Sequence, residues 1–236
     1  MPTKSTATKS PKSPKWRRRP EHRPQQIIDA ALEVFGECGL AKARLDDIAK
    51  RAGVSKGTIY LYFPNKEELF REVVRQTAVA SIEAGERTVT HGTPTEQLYA
   101  AMRGYWTFVR SPVFNTLHRL VIGELHQFPD LARFYADEVV ARGLKLLSGI
   151  IRRGTDAGEF RDVDPMIAAR MLVAMTVMNG IWLEEHTGVP LLCHKKAEDV
   201  FRELAQFYLH SVTASGGPCE QADGAPAASF FPFYND

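Results

Sequence analysis

The sequence predicts an all-α protein, with a small three-helix head near the N-terminus followed by a larger helical body. Three observations predict it. Apolar residues recur at three- and four-residue spacing through most of the chain, no stretch of useful length alternates as a strand would, and Gly and Pro fall between the periodic segments. With 236 residues, 44% of them hydrophobic, the chain is long enough for the head and a second core of its own.

The first segment, residues 1–22, is rich in Pro, Ser and Thr and has no apolar period. Through Arg23 it carries eight basic residues against Glu21 alone, although the whole chain has a net charge of only +2. Such an arm is expected to be disordered in isolation and, placed just before the head, to sample phosphates or a minor groove.

The head occupies residues 23–69. Ile27, Ile28, Ala31, Leu32 and Phe35 share one face of a first helix, and Gly39 stands where a C-terminal cap belongs. Leu45, Ile48, Ala49 and Ala52 give a second helix one apolar face, and Gly53 ends it with a turn that favours a left-handed backbone. Ser55 then caps a third helix. Ile59, Tyr60 and Phe63 are expected on its inner side, with Lys56, Thr58, Leu61 and Tyr62 facing outward, and Ala49 is small where this helix crosses the second. Two short helices joined by a tight glycine turn form a DNA-reading device, the second helix entering the major groove. Pro64 breaks the third helix, and Asn65 caps a long fourth one with Glu67 and Glu68 in its favoured first turn.

The body, residues 70–213, continues as helices. Thr93-Pro94-Thr95-Glu96 opens one that stops near Ser111-Pro112, and another follows through Leu125. Pro129 starts a long element that keeps helical spacing through Ile151 to Gly158. Asp164-Pro165 opens a helix running to Gly188 that is apolar nearly all round, and residues 197–212 form the last. Residues 214–236 read as a flexible tail of Gly, Pro and Ala that nonetheless contains Phe230, Phe231, Phe233 and Tyr234.

Several linked motifs now carry a resemblance. Gly39-Leu40, Asp47-Ile48-Ala49, the run from Ala52 to Tyr60, Tyr62-Phe63 and Asn65-Lys66-Glu67-Glu68-Leu69 resemble the DNA-binding domain of the TetR family of transcriptional regulators. From Arg119 to Tyr135, a shorter match resembles the AefR-type C-terminal region of the same family. One position departs from the pattern: where the family commonly has Thr or Ser before the second helix, this chain has Ala43-Arg44. The resemblance implies a homodimeric, ligand-responsive regulator, most often a repressor, that binds double-stranded operator DNA and a small-molecule effector.

For DNA, Lys56, Thr58, Leu61 and Tyr62 are expected to face the groove, with Ser55 at the cap and Gly57 letting the backbone approach closely. Arg44, Tyr60 and Lys66 are expected on phosphates. For the effector, the expected lining is Tyr105, Trp106 and Val109 from one helix, Leu117, His118 and Val121 from the next, and Met171, Met175, Met178 and Trp182 from the apolar helix, because flexible methionines and aromatic rings suit an adaptable pocket. For the dimer, the family's packing of the last two helices against a second copy falls on Val173, Val177, Val200, Phe201, Leu204, Phe207 and Tyr208.

Other functions find less support. There is no Gly-rich phosphate loop, nucleophile elbow or paired-histidine zinc motif, so neither an enzyme nor a cofactor is expected. Cys38, Cys193 and Cys219 lack metal-ligand spacing, and Cys38 reads as a small buried apolar residue. The most apolar window, residues 171–183, is too short to cross a membrane, and the cytoplasm is the expected location. The competing class is an architectural DNA-binding protein with no effector, which the basic arm alone would permit and which has little use for so large a body.

Overall fold

The computed structural model describes residues 23–183 and 196–214. The basic arm, the aromatic tail, Cys193 and Cys219 lie outside the described residues. Within them the chain is helical: α1 (Arg23–Lys42), α2 (Leu45–Ala52), α3 (Lys56–Tyr62), α4 (Lys66–Val74), α5 (Ala80–Thr88), α6 (Pro94–Val109), α7 (Pro112–Gly123), α8 (Pro129–Tyr135), α9 (Arg142–Asp156), α10 (Pro165–Trp182) and α11 (Ala197–Val212).

Two of these boundaries are not breaks. A π-helical stretch, Arg75–Val79, carries α4 into α5, and a second, Ala136–Ala141, carries α8 into α9, with helical backbone angles at every junction. The result is two long rods. Local chemistry sets the other ends. Asn65 accepts a hydrogen bond from the Glu68 amide, Thr93 and Glu96 form a reciprocal capping box, and Asp164 accepts from the amides of Met166 and Ile167.

The packing divides into two cores. The first joins the head to the α4 rod, α7 and α8: Ile27, Phe35, Ile48 and Ile59 cluster with Phe70, Val74, Leu117, Leu120 and Leu131. Hydrophobic contact around the head therefore does not stop at residue 69. The second core is built from α6, α9, α10 and α11 around Trp106, Ile150, Leu172, Phe201 and Leu204.

Polar contacts lock α7 onto the head. Arg119 donates to the Gly36 carbonyl at 3.0 Å, and Glu124 accepts from the Ala41 amide at 2.8 Å. Gly39 makes this junction possible. Its φ of 80° and ψ of 169° interrupt α1 in a region essentially reserved for glycine, and a β-carbon there would overlap the Glu124 carboxylate. Gly180 plays a related steric part, since a β-carbon on it would collide with Val109 where α6 crosses α10.

Two expectations need correction here. Cys38 is exposed rather than buried, its thiol donating to the Val34 carbonyl at 3.2 Å, because it lies on the outer side of α1. The apolar helix begins earlier than the window read from sequence: Pro165–Trp182 is, by length and composition alone, long enough to cross a membrane. It packs instead against α6, α9 and α11. Only 28% of its apolar window is buried, so one side is left uncovered.

Candidate functional site

In the head, Gly53 adopts the left-handed conformation (φ 65°) that the turn between α2 and α3 requires, and Ser55 accepts from the Thr58 amide at 3.1 Å. Ile59 and Phe63 are buried against α2. The opposite side of α3 is open: Leu61 is 81% exposed, and Tyr60 and Tyr62 stand beside it. Lys56 forms an ion pair with Asp46 at 2.8 Å, tying the two helices of the motif together. On α2, Arg44 occupies the cap position without a side-chain hydrogen bond, and Asp46 and Asp47 supply negative charge to the first turn instead. Its guanidinium group is exposed at the head's surface.

A cavity of about 890 Å³ lies between α5, α6, α9 and α10. Its wall has a simple origin: Ala78, Gly85, Ala100, Gly104, Gly143 and Ala174 face it from five helical segments, and their missing side chains leave the space. A β-carbon on Gly104 would meet nothing within 4 Å. Phe108, Phe114, Val139 and Leu144 add apolar surface, and Tyr105 and Tyr135 bring phenol groups into it. Burial raises the pKa of both phenols, that of Tyr135 to about 12, so they stay protonated and can donate hydrogen bonds. Among the described residues, no cluster of His, Cys, Asp or Glu can hold a metal ion.

Comparison with known proteins decides what this combination is. Residues 27–73 match the family described as bacterial regulatory proteins, tetR family, and residues 96–210 match the AefR-like transcriptional repressor C-terminal domain. The fatty acid metabolism regulator protein of Bacillus subtilis (strain 168) is 32% identical over 164 residues, covering 68% of this chain and 81% of that protein. The chain belongs to the TetR family of transcriptional regulators.

Solved structures agree on the fold of this TetR-family regulator. The transcriptional regulator FadR from Bacillus subtilis, in complex with stearoyl-CoA, superimposes with a TM-score of 0.65 at 26% identity, covering 79% of this chain and 98% of that one. The flavonoid-responsive regulator FrrA superimposes with a TM-score of 0.57, also at 26% identity, over 82% and 98% of the two chains. The family consists of regulators of transcription rather than enzymes, and the matching head is a helix-turn-helix DNA-binding domain.

Within the regulator's head, the structure brings Ser55, Lys56, Gly57, Thr58, Leu61 and Tyr62 onto or beside the open side of α3. Tyr60, read as inward-facing from its spacing, is 45% exposed because Ile59 and Phe63 already fill the inner side. Lys66 has a different task from the phosphate contact expected of it. Its ammonium donates to the Ala41 carbonyl at 2.7 Å and the Ala43 carbonyl at 3.3 Å, and it lies over the Phe128 ring. It ties α4 to the end of α1.

The expected effector residues divide among three places. Only Tyr105 lines the cavity. Trp106 and Val109 point to the opposite side of α6, where Trp106 meets Phe201 in the second core and Val109 abuts Gly180. Leu117 and Val121 belong to the head's core, since α7 turns its apolar face to α1. His118 stands behind the cavity wall, stacked on Phe114 with ring centroids 5.4 Å apart. Burial pushes its pKa below the ordinary 6.5. On α10, Met175 packs partly against the second core, and Trp182 ends the helix without reaching the cavity. Met171 and Met178 are exposed, at 59% and 45%.

The dimer residues exchange places with these methionines. Val200, Phe201, Leu204 and Tyr208 are buried within the chain, and the Tyr208 hydroxyl donates to the Ala168 carbonyl at 2.8 Å. Val173 lines the cavity, and Val177 is half-buried. Of the α11 residues named, Phe207 alone is left outside, 66% exposed. Met166, Ile167, Met171 and Met178 are likewise exposed on α10.

Sequence reasoning missed most of the cavity wall. A usable signal was the recurrence of Gly and Ala at helical spacing in residues 78–85 and 100–104, which leaves space wherever such faces oppose one another.

Proposed function

We propose that the chain is a cytoplasmic, homodimeric repressor released from a palindromic operator by a small, largely apolar or aromatic effector that occupies the cavity. The observation that carries this reading is the path from cavity to head. Ala78 lies in the cavity wall and in the head's core, on the rod that begins with α4 at the head, while Phe114 lines the cavity from the helix whose other end grips α1. A ligand that fits one arrangement of this wall better than another therefore biases the position of the head. The relatives support the class of ligand: one neighbour holds stearoyl-CoA and another is flavonoid-responsive, both with large apolar parts. An architectural DNA-binding protein gives no account of such a cavity.

In this reading, residues 1–22 form a basic arm beside a reading head of residues 23–69. Residues 70–213 form the effector and dimerisation domain, and residues 214–236 a tail. Leu61, Tyr62, Thr58 and Lys56 face the major groove, Lys56 exchanging Asp46 for DNA, and Gly57 admits the backbone. Arg44, Ser55 and Tyr60 lie where phosphates pass. The second copy covers Met166, Ile167, Met171, Met178 and Phe207, placing two heads on one operator.

The test is a titration of the purified protein against its own promoter DNA, with and without candidate effectors. Leu61→Ala is expected to keep the fold and lose discrimination between operator and random DNA. Equal affinity of both proteins for both DNAs, or an operator complex unmoved by every apolar ligand that binds the protein, would overturn it.

A further inference from the structure

Two charged side chains line the cavity, Arg103 and Arg170, and no acidic one does. The two arginines are not equivalent. Arg103 is satisfied by the chain itself: its guanidinium donates twice to Glu198, at 2.7 Å each, and stacks 3.9 Å above the Phe201 ring. Its charge is neutralised before any ligand arrives. Arg170 is exposed on α10, next to Val173 and Ala174 in the wall, and has neither a hydrogen bond nor an ion pair among the described residues. Within one copy the nearly apolar cavity thus offers one uncompensated positive charge, with the phenols of the half-buried Tyr105 and Tyr135 as further donors.

Resting on the reading of this cavity as the effector site, we infer that the ligand is an amphipathic anion, an apolar chain or ring system ending in a carboxylate or phosphate, and that Arg170 receives the anionic end. Both groups present paired oxygens that match the planar fork of a guanidinium, which a neutral hydroxyl or ester does not. A free guanidinium at an otherwise apolar wall also discriminates by cost. A neutral ligand covering it would strip water from the charge and return at most a single hydrogen bond, whereas an anion replaces that water with a paired contact that also neutralises the charge.

The test uses the full chain and three probes of one chain length: dodecanoate, dodecyl phosphate and dodecan-1-ol, with binding followed by calorimetry. At least one anion is expected to bind about tenfold or more tightly than the alcohol. Arg170→Gln should bring that anion to the affinity of the alcohol and leave the alcohol unchanged, and Arg170→Lys should restore part of the preference. Whichever anion loses more in Arg170→Gln identifies the head group. An alcohol bound as tightly as both anions by the unaltered protein would overturn the inference, as would Arg170→Gln weakening all three alike or failure of all three to bind. Gly104→Trp, which fills the cavity, separates this from the underlying reading. If it abolishes binding while Arg170→Gln changes nothing, the cavity stands and the role of Arg170 falls; if all probes still bind, both fall.

Discussion

Gly39→Ala tests how the head is fastened to the body. At φ 80° and ψ 169° an alanine meets a backbone penalty of about 2 kcal/mol, within the range for residues held in sparsely populated regions. Its β-carbon would also overlap the Glu124 carboxylate, so Glu124 must leave the Ala41 amide, which it now accepts from at 2.8 Å. Because that amide is exposed, water takes over part of the bond and its loss costs about 1 kcal/mol. The sum, about 3 kcal/mol, corresponds to a drop in Tm of roughly 9 °C for a chain of this size. Glu124→Ala alone should cost about 1 kcal/mol. The double variant should cost about 3 kcal/mol rather than 4, because the bond between Glu124 and the Ala41 amide is lost once rather than counted in both single variants. Urea unfolding of the four proteins closes the cycle. Strict additivity, or a Gly39→Ala protein as stable as the unaltered one, would refute the view that Glu124 is seated on a glycine-only kink.

Three other perturbations separate roles that the sequence left merged. Phe207→Glu should leave the fold intact, since the ring is 66% exposed, and yield a monomer by sedimentation with weakened operator binding; a normal dimer would place the interface elsewhere. Lys66→Ala should lower stability by about 1 kcal/mol through loss of its bonds to Ala41 and Ala43, and should leave the salt dependence of DNA binding unchanged; a salt slope shallower by one phosphate contact would restore the role first expected of it. His118 is held below its ordinary pKa of 6.5 by burial, so as pH falls through that value the unfolded chain takes up its proton first and stability declines toward the lower folded value. His118→Phe keeps a ring against Phe114 and should abolish that part of the decline, measured as urea midpoints between pH 8 and 5.5; an identical pH profile would exclude the histidine as its source.

What the sequence disclosed and what it hid follow from the range of the forces involved. Caps and turns are decided within a few residues, so Ser55, Asn65, the Thr93–Glu96 box and the left-handed Gly53 were all readable one motif at a time. Periodicity likewise shows that a face is apolar. It does not say which neighbour covers it. That is why Leu117 was assigned to a cavity and belongs to the head's core, and why Phe201 and Met171 exchanged assignments between the interior and the outer surface. Lys66 was misplaced for a related reason: an exposed lysine beside a DNA-reading helix suits a phosphate equally well until the carbonyls of Ala41 and Ala43 are seen in front of it. The cavity was hardest to read because it is defined by absent atoms on helices distant in sequence.

The π-helical stretch Arg75–Val79 sets a rule for anyone recombining regulators of this architecture. A π turn accommodates one residue more than the α-helical path it replaces. Removing a single residue there would restore an unbroken α-helix and leave everything beyond it facing as before. Drawing the π turn into α-helix with that residue retained would instead rotate everything beyond it by about 100° relative to the head. Ser81, Ile82 and Gly85 would then swing out of the cavity wall, although each would remain helical and near its original height along the rod. A chimera that joins a foreign head to this body must therefore keep the π turn together with its extra residue, or drop both. Two chains whose sequences align without a gap across this stretch can still differ in which side of the rod they present to the ligand.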